Sequence, residues 1–160
     1  MARSPKGSYF RSTPDWFWRS MATVGFASGS TGGTYPQAGL YNNATDGQLL
    51  HVMGLSMHCS GAGEGIDVSF AQGVPAFSAG RPGTAVKLDE IAPPGLSYFT
   101  NGVGAVPGYI IGYLGAANAG TFATPGWPLW IIPPGYTLWF NGDQTNTFFF
   151  ATLWYLHLKE

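Results

Sequence analysis

Three histidines and one cysteine are the side chains of this sequence best suited to bind a metal ion. They are His51, His58, Cys59 and His157. His51 and His58 are seven residues apart on one predicted strand, so they should point to opposite faces and lie about 23 Å apart. His58 and Cys59 are adjacent and should also point to opposite faces. A structural zinc site needs four such ligands close together. We therefore predict no metal site, and we expect no other cofactor.

The possible nucleophiles and the acidic residues do not form a hydrolase pattern either. The G-x-S-x-G motif does not occur, and a lone cysteine on an apolar strand, such as Cys59, is typical of a small buried side chain. Asp67 is predicted on a strand face, Asp89 and Glu90 in a loop, and Asp143 in a turn. Glycoside hydrolysis requires two carboxyl groups facing each other across a cleft, and no motif here predicts that arrangement. We predict a protein that is not an enzyme.

Charged residues are scarce in this chain. They make up 9% of its 160 residues, compared with about 25% in ordinary globular domains, and the net charge is −1. With 45% hydrophobic residues, 24 glycines and 12 prolines, the composition indicates one ordered domain of short strands and turns. Because near-zero net charge favours association, much of the surface is expected to lie against neighbouring subunits.

Six to eight short strands in about 120 residues, without a βαβ rhythm, predict an antiparallel arrangement. Ile66, Val68 and Phe70 alternate with Asp67 and Ser69, which is typical of a half-buried strand. No stretch has sustained helical spacing of apolar residues. We predict an all-β, antiparallel β-sandwich or jelly roll over residues 36–160, with an extended N-terminal arm. Its main strands are predicted at residues 48–60, 66–72, 109–117, 129–132, 137–141 and 147–158.

Residues 1–35 differ from the rest and are predicted to be the arm and a linker. The arm contains the aromatic cluster Trp16, Phe17 and Trp18, and residues 27–36 have the composition of a flexible connection. We expect these aromatics to pack on a neighbouring subunit. Nucleic-acid binding is the less favoured alternative, because the positive charges are too widely spaced for tight phosphate binding. These charges are Arg3, Lys6, Arg11 and Arg19.

The last predicted strand, residues 147–158, is apolar on both faces. Phe148, Phe150, Trp154, Leu156 and Leu158 share one face, and Phe149, Ala151, Leu153 and Tyr155 share the other. A monomer rarely exposes a large apolar patch, so both faces should be covered. The second sheet would cover one face, and the arm or another subunit would cover the other. The predicted interface residues are Trp16, Phe17, Trp18, Phe149, Leu153 and Tyr155.

Several segments together resemble a known family. They are "LYNNATDGQLLHVMGLSM" (residues 40–57), "RPGTAVKLDEIAPP" (residues 81–94) and "WPLWIIPPGYTLWF" (residues 127–140), followed by an aromatic closing strand. This layout is similar to the small jelly-roll virion proteins of bacteriophages, of the capsid decoration or minor structural kind. The best match is residues 129–140, with Pro134 and Gly135 in the turn, and the likeness extends loosely over residues 40–158.

The resemblance implies a non-enzymatic capsid decoration, cement or minor capsid protein. Its expected partners are copies of itself and a major capsid protein, and its expected location is the virion, assembled in the host cytoplasm. Residues 1–20 lack the apolar stretch of a secretion signal, and no membrane helix is predicted. Two alternatives stay open: a phage tail or fibre component, and a carbohydrate-binding module. The second is less favoured because the chain around its tryptophans is mostly apolar, which indicates core and interface roles. These are Trp127, Trp130, Trp139 and Trp154.

Overall fold

The computed structural model describes residues 20–30, 32–60, 65–74, 81–85, 93–102, 108–115, 118–122 and 128–159. Strands dominate this part of the chain. They are β1 (Met21–Gly29), β2 (Tyr35–Tyr41), β3 (Leu49–Cys59), β4 (Gly65–Gln72), β5 (Arg81–Pro82), β6 (Thr84–Ala85), β7 (Leu96–Gly102), β8 (Tyr109–Gly115), β9 (Asn118–Phe122), β10 (Trp130–Ile132), β11 (Tyr136–Gly142) and β12 (Phe148–Leu158).

The strands form two antiparallel sheets. The first sheet has the order β10-β3-β12-β1-β6, with β9 also paired to β3, and the second has the order β5-β7-β2-β11-β4-β8. Consecutive strands such as β1 and β2, β3 and β4, and β11 and β12 lie in opposite sheets. The chain therefore crosses repeatedly between two facing layers, as in a jelly roll. The predicted antiparallel β-sandwich is confirmed.

The hydrophobic core lies between the two sheets. Inward-facing residues of β4 follow the predicted alternation, since Ile66 and Val68 are fully buried and Phe70 is partly buried against the core. Full burial of each large aliphatic side chain stabilises the fold by about 1.5–3 kcal/mol. The largest fully buried side chains come from both layers: Leu40, Leu50, Val52, Leu55, Ile66, Ile132, Leu138, Phe140, Leu153 and Tyr155.

A β-bulge in β3 changes which of its residues face the core. Trp154 of β12 pairs with Gly54, but the next residue, Tyr155, pairs with Val52, so Met53 is the extra residue. Inward positions before the bulge are Leu50 and Val52, and those after it are Leu55, Met57 and Cys59. An extra residue shifts the two-residue period by one and exchanges the faces.

This bulge corrects the prediction that His51 and His58 lie on opposite faces. His51 pairs with Leu156 and His58 with Phe150, and both partners lie on the outer side of β12. The two histidines therefore share the outer face of the first sheet. They remain about 20 Å apart, because their partners are six residues apart on an extended strand.

The structure also corrects the choice of interface residues on β12. Leu153 and Tyr155 are fully buried in the core, so they are not available to a partner subunit. The backbone of Phe149 lies opposite that of Cys59 in the pairing of β12 with β3. The outer face of the strand has Phe148 and Phe150 instead, and both are substantially exposed. The prediction placed the partner subunit on the face of Leu153 and Tyr155. That face is covered by the second sheet, and the opposite face is the exposed one.

The predicted boundary at residue 35 is wrong. Met21–Gly29 is strand β1, which pairs with β12 along its whole length and with β6 on its other edge. The segment predicted to be a flexible connection is therefore the end of β1, a turn and the start of β2. Trp16, Phe17 and Trp18 lie outside the described residues, so their role as an interface stays a prediction.

The buried hydroxyl of Tyr155 joins β12 to two loops. It donates a hydrogen bond to the carbonyl of Pro94 over 3.0 Å. Gly83 and Gly95 make room for it, because a Cβ at either position would collide with this hydroxyl. Burial raises the pKa of Tyr155 well above its ordinary value near 10.

This burial predicts a loss of stability in alkali. Between pH about 10 and the raised pKa of the folded state, unfolded Tyr155 loses its proton while folded Tyr155 keeps it, so unfolding is favoured as pH rises. The contribution is complete below pH about 10 and then falls by up to about 1.4 kcal/mol per pH unit. Tyr155→Phe is expected to cost about 1 kcal/mol at neutral pH, from the lost hydrogen bond, and to remove this part of the alkaline decline. Urea unfolding of both proteins from neutral to alkaline pH measures the effect. If the free energy of unfolding fell equally with pH in the natural chain and in Tyr155→Phe, the prediction would be contradicted.

Candidate interface surfaces

The exposed large hydrophobic side chains concentrate in two places. Of those in the described residues, Tyr109, Ile110, Ile111 and Tyr113 lie on β8, and Phe148 and Phe150 lie on β12. We call Tyr109–Gly115 the β8 edge, and Phe148 with Phe150 the β12 patch. Two isolated residues, Val74 and Ile131, complete the set. Exposed apolar side chains that are clustered in this way are typical of contact surfaces.

The β8 edge begins where a glycine is required. Gly108 has a φ of +70°, and a Cβ there would collide with the backbone carbonyl of Phe70. The chain then pairs with β4 from Tyr109 to Gly115. Val68 pairs with Gly112 and Ser69 with Ile110, so Ile111 is the extra residue of a bulge.

Two contacts hold the C-terminal half of β8 on the sandwich. Leu114 pairs with Ile66 and packs against the core. The hydroxyl of Tyr113 donates a hydrogen bond over 3.0 Å to Asp143, whose other carboxylate oxygen accepts the backbone N–H of Gly65 over 2.9 Å. The hydrogen bond to Asp143 and its negative charge raise the pKa of Tyr113. Asp143 is therefore a structural residue of the turn between β11 and β12.

The β12 patch is an aromatic pair at the start of β12. The rings of Phe148 and Phe150 meet edge to face, with centroids 5.2 Å apart. The backbone of Phe148 is held against Ser60 by two hydrogen bonds, with N···O distances of 2.9 and 3.0 Å. Phe150 lies in register with His58, which is exposed beside it. Further along the same face, Trp154 is half-buried and Leu156 is buried.

The residues with possible chemistry are spread over the sandwich. Cys59 is a buried free thiol, and Asp67 lies in the middle of β4. Nδ1 of His157 contacts Gln48 at 2.9 Å, and Gln48 in turn donates to Asp46. This hydrogen bond from Gln48 is the largest of the effects that lower the pKa of Asp46. Asp89 and Glu90 lie outside the described residues. Among the residues that are described, no three His, Cys, Asp or Glu side chains are grouped to hold a metal ion.

The tryptophans in the described part of the chain do not form an exposed platform. Trp139 is buried, and Trp130 and Trp154 are half-buried. Trp130 packs edge to face against core residue Phe140, with ring centroids 6.0 Å apart. Trp127 lies outside the described residues. In the part of the chain that the structure describes, no helix is long and apolar enough to cross a membrane.

Sequence reasoning missed the β8 edge and chose the wrong face of β12. The run "YIIGYLG" was predicted to be a strand, but nothing local showed that it ends a sheet. A usable signal was present, because this run is apolar at both alternating sets of positions and contains no charge. Such a strand is either covered on both faces or exposes apolar side chains.

Comparison with known proteins identifies no relative. No family model, no curated protein and no solved structure matches this chain.

Proposed function

We propose that this protein is a non-enzymatic structural subunit of a virion, a bacteriophage capsid decoration, cement or minor capsid protein. Its partners would be copies of itself and a major capsid protein. The observation that supports this most strongly is the clustering of exposed apolar side chains on the β8 edge and the β12 patch. The virion itself is inferred from the resemblance of the sequence layout.

The charge content of the chain supports a role in assembly. Only 9% of the residues are charged, and Asp143 is a charged residue that contacts the β8 edge, through Tyr113. A large apolar patch on a charge-poor surface favours burial against another protein, because removing apolar area from water stabilises the interface by about 25 cal/mol per Å².

Repetition would make such contacts lasting. Each copy contributes apolar contacts of limited area, and a symmetric shell repeats them at every subunit. When one contact holds two subunits close together, the next contact forms at a high effective concentration. The chemistry of this function is therefore burial of surface, spread over many side chains.

The direct test is to look for the chain in purified phage particles. Particles from the source strain are disassembled, and the number of copies per particle is measured by quantitative mass spectrometry against the major capsid protein. We expect a copy number that is a fixed multiple of the capsid symmetry. A handful of copies per particle would instead support the tail or fibre alternative. Its consistent absence from particles would refute the virion role.

Salt and glycan controls separate the remaining alternatives. Particles that lack the chain are incubated with purified protein at low and high salt. Apolar docking is expected to be almost independent of salt, whereas binding through Arg3, Lys6, Arg11 and Arg19 to nucleic acid would fall steeply as salt rises. Binding to immobilised glycans, abolished on changing Tyr109 or Tyr113 to Ala, would favour the carbohydrate-binding module instead.

A further inference from the structure

We propose that the β8 edge binds the β8 edge of a second copy of this chain, in antiparallel register, so that the second sheets of two subunits join into one continuous sheet. This inference rests on the proposed assembly function and specifies one of its contacts. The occupant is a second copy of this protein, related to the first by a two-fold axis.

The backbone of β8 is available for such pairing. In the described part of the chain, β8 ends the second sheet and has one neighbour, β4. In an antiparallel pair, alternate residues direct both their N–H and C=O groups away from the neighbouring strand. The open side of β8 therefore presents donors and acceptors that a further strand would satisfy.

The usual protections of an edge strand are mostly missing here. Proteins generally block such edges with lysine, other charges, proline or bulges. The segment Tyr109–Gly115 contains no charged residue and no proline. Its bulge at Ile111 is the single protective device, and the residues after it, Gly112–Gly115, pair regularly with β4. Gly112 has no side chain, so a second backbone can approach it closely.

The side chains favour a second copy over a partner of different chemistry. Antiparallel pairing of identical strands places each of these residues opposite another from the same uncharged set, so no like charges meet. Tyrosine and isoleucine pairs across a ladder stabilise it relative to alanine pairs. The strand itself has no charge that would recognise a charged peptide, and the carboxylate beside it, Asp143, already accepts hydrogen bonds from Tyr113 and Gly65. The isologous contact also needs no other surface, because the same residues supply both sides.

The pairing is expected to be weak for two isolated subunits. A single seven-residue strand buries less than the roughly 1,200–2,000 Å² of a stable interface. It becomes lasting only when the other contacts of an assembly hold the subunits together. The test therefore uses a concentration series and compares matched variants.

The discriminating pair of variants is Ile111→Lys and Ile131→Lys. Both isoleucines lie on strands and are equally exposed, at 45% and 44%, but Ile131 is on β10 of the first sheet. Sedimentation velocity of the full chain is measured over increasing concentration, and thermal melting checks that both variants fold. We expect Ile111→Lys to weaken self-association by about tenfold or more, since each copy then brings a charge onto the uncharged edge close to the two-fold axis. Ile131→Lys should associate like the natural chain.

Hydrogen exchange locates the contact on the chain. We expect the amides of residues 109–115 to gain protection as concentration rises, and to lose that gain in Ile111→Lys. Equal weakening in both variants, or protection that appears in residues 148–158 instead, would overturn the β8 pairing while leaving the assembly function standing. A natural chain that is monomeric at every concentration and is missing from particles would overturn both.

Discussion

Deletion of residues 1–30 is expected to abolish cooperative folding, whereas deletion of residues 1–19 is expected to leave a folded sandwich. The difference is strand β1, which the longer deletion removes. β1 lies between β12 and β6 in the first sheet, so its removal divides the sheet and exposes one edge of β12.

The pairing and packing of β1 show why it is essential. It pairs with β12 over nine residues, from Met21 opposite Leu156 to Gly29 opposite Phe148. Its inward residues Ala22 and Val24 are part of the core. At its end, the hydroxyl of Ser30 makes two hydrogen bonds with the backbone of Thr147, at 3.0 and 3.2 Å. Removing these hydrogen bonds and this part of the core costs an amount comparable to the roughly 5–15 kcal/mol that stabilise a typical domain.

The two deletions are compared by circular dichroism and thermal melting. The chain without residues 1–19 should show the strand spectrum and a cooperative transition, because every described strand remains. The chain without residues 1–30 should aggregate or melt without a transition. If the longer deletion still melted cooperatively near the temperature of the full chain, β1 would be dispensable and its position between β12 and β6 would be wrong.

Asn42→Asp is expected to lower the free energy of unfolding by about 3 kcal/mol or more. Asn42 is fully buried, and its side-chain amide donates to the carbonyls of Gln48 and Ile132, each over 2.8 Å. Its side-chain oxygen accepts the N–H of Ala44 over 3.0 Å. The side chain therefore closes the loop after β2 and ties it to β10. A carboxylate of the same shape cannot donate, so it would face two carbonyl oxygens in a buried site.

Asn43→Asp is the matched control, because Asn43 is exposed and its side chain acts as an acceptor. Its side-chain oxygen accepts the N–H of Gly95 over 2.7 Å, and a carboxylate oxygen can do the same. We expect Asn42→Asp to lower the melting temperature by about 6–12 °C, and Asn43→Asp to change it little. Acid should partly restore Asn42→Asp, since a protonated carboxyl can donate one hydrogen bond. Equal effects of the two substitutions would show that the buried amide does not hold this loop.

Local pattern alone determined the fold class and most strand positions. Apolar alternation along residues 66–72 predicted β4, and the Pro-Gly turn at residues 133–135 separated β10 from β11. These features depend on neighbouring residues in the chain, so a sequence contains them directly. The scarcity of charge likewise predicted a surface that lies against neighbouring subunits. That association stays a prediction, and the structure shows which apolar side chains are exposed, on β8 and β12.

Tertiary structure decided which residues reach that surface. The bulge at Met53 placed His51 and His58 on one face, and the facing sheet buried Leu153 and Tyr155 while Phe148 and Phe150 turned outward. Residues 27–29 have the composition of a linker. They are nevertheless the end of β1, which pairs with β12 on one edge and with β6 on the other. Strand order determined that β8 ends its sheet. Each of these outcomes depends on interactions between residues far apart in the chain, and the period of a single strand does not specify its neighbours or the face that the other sheet covers.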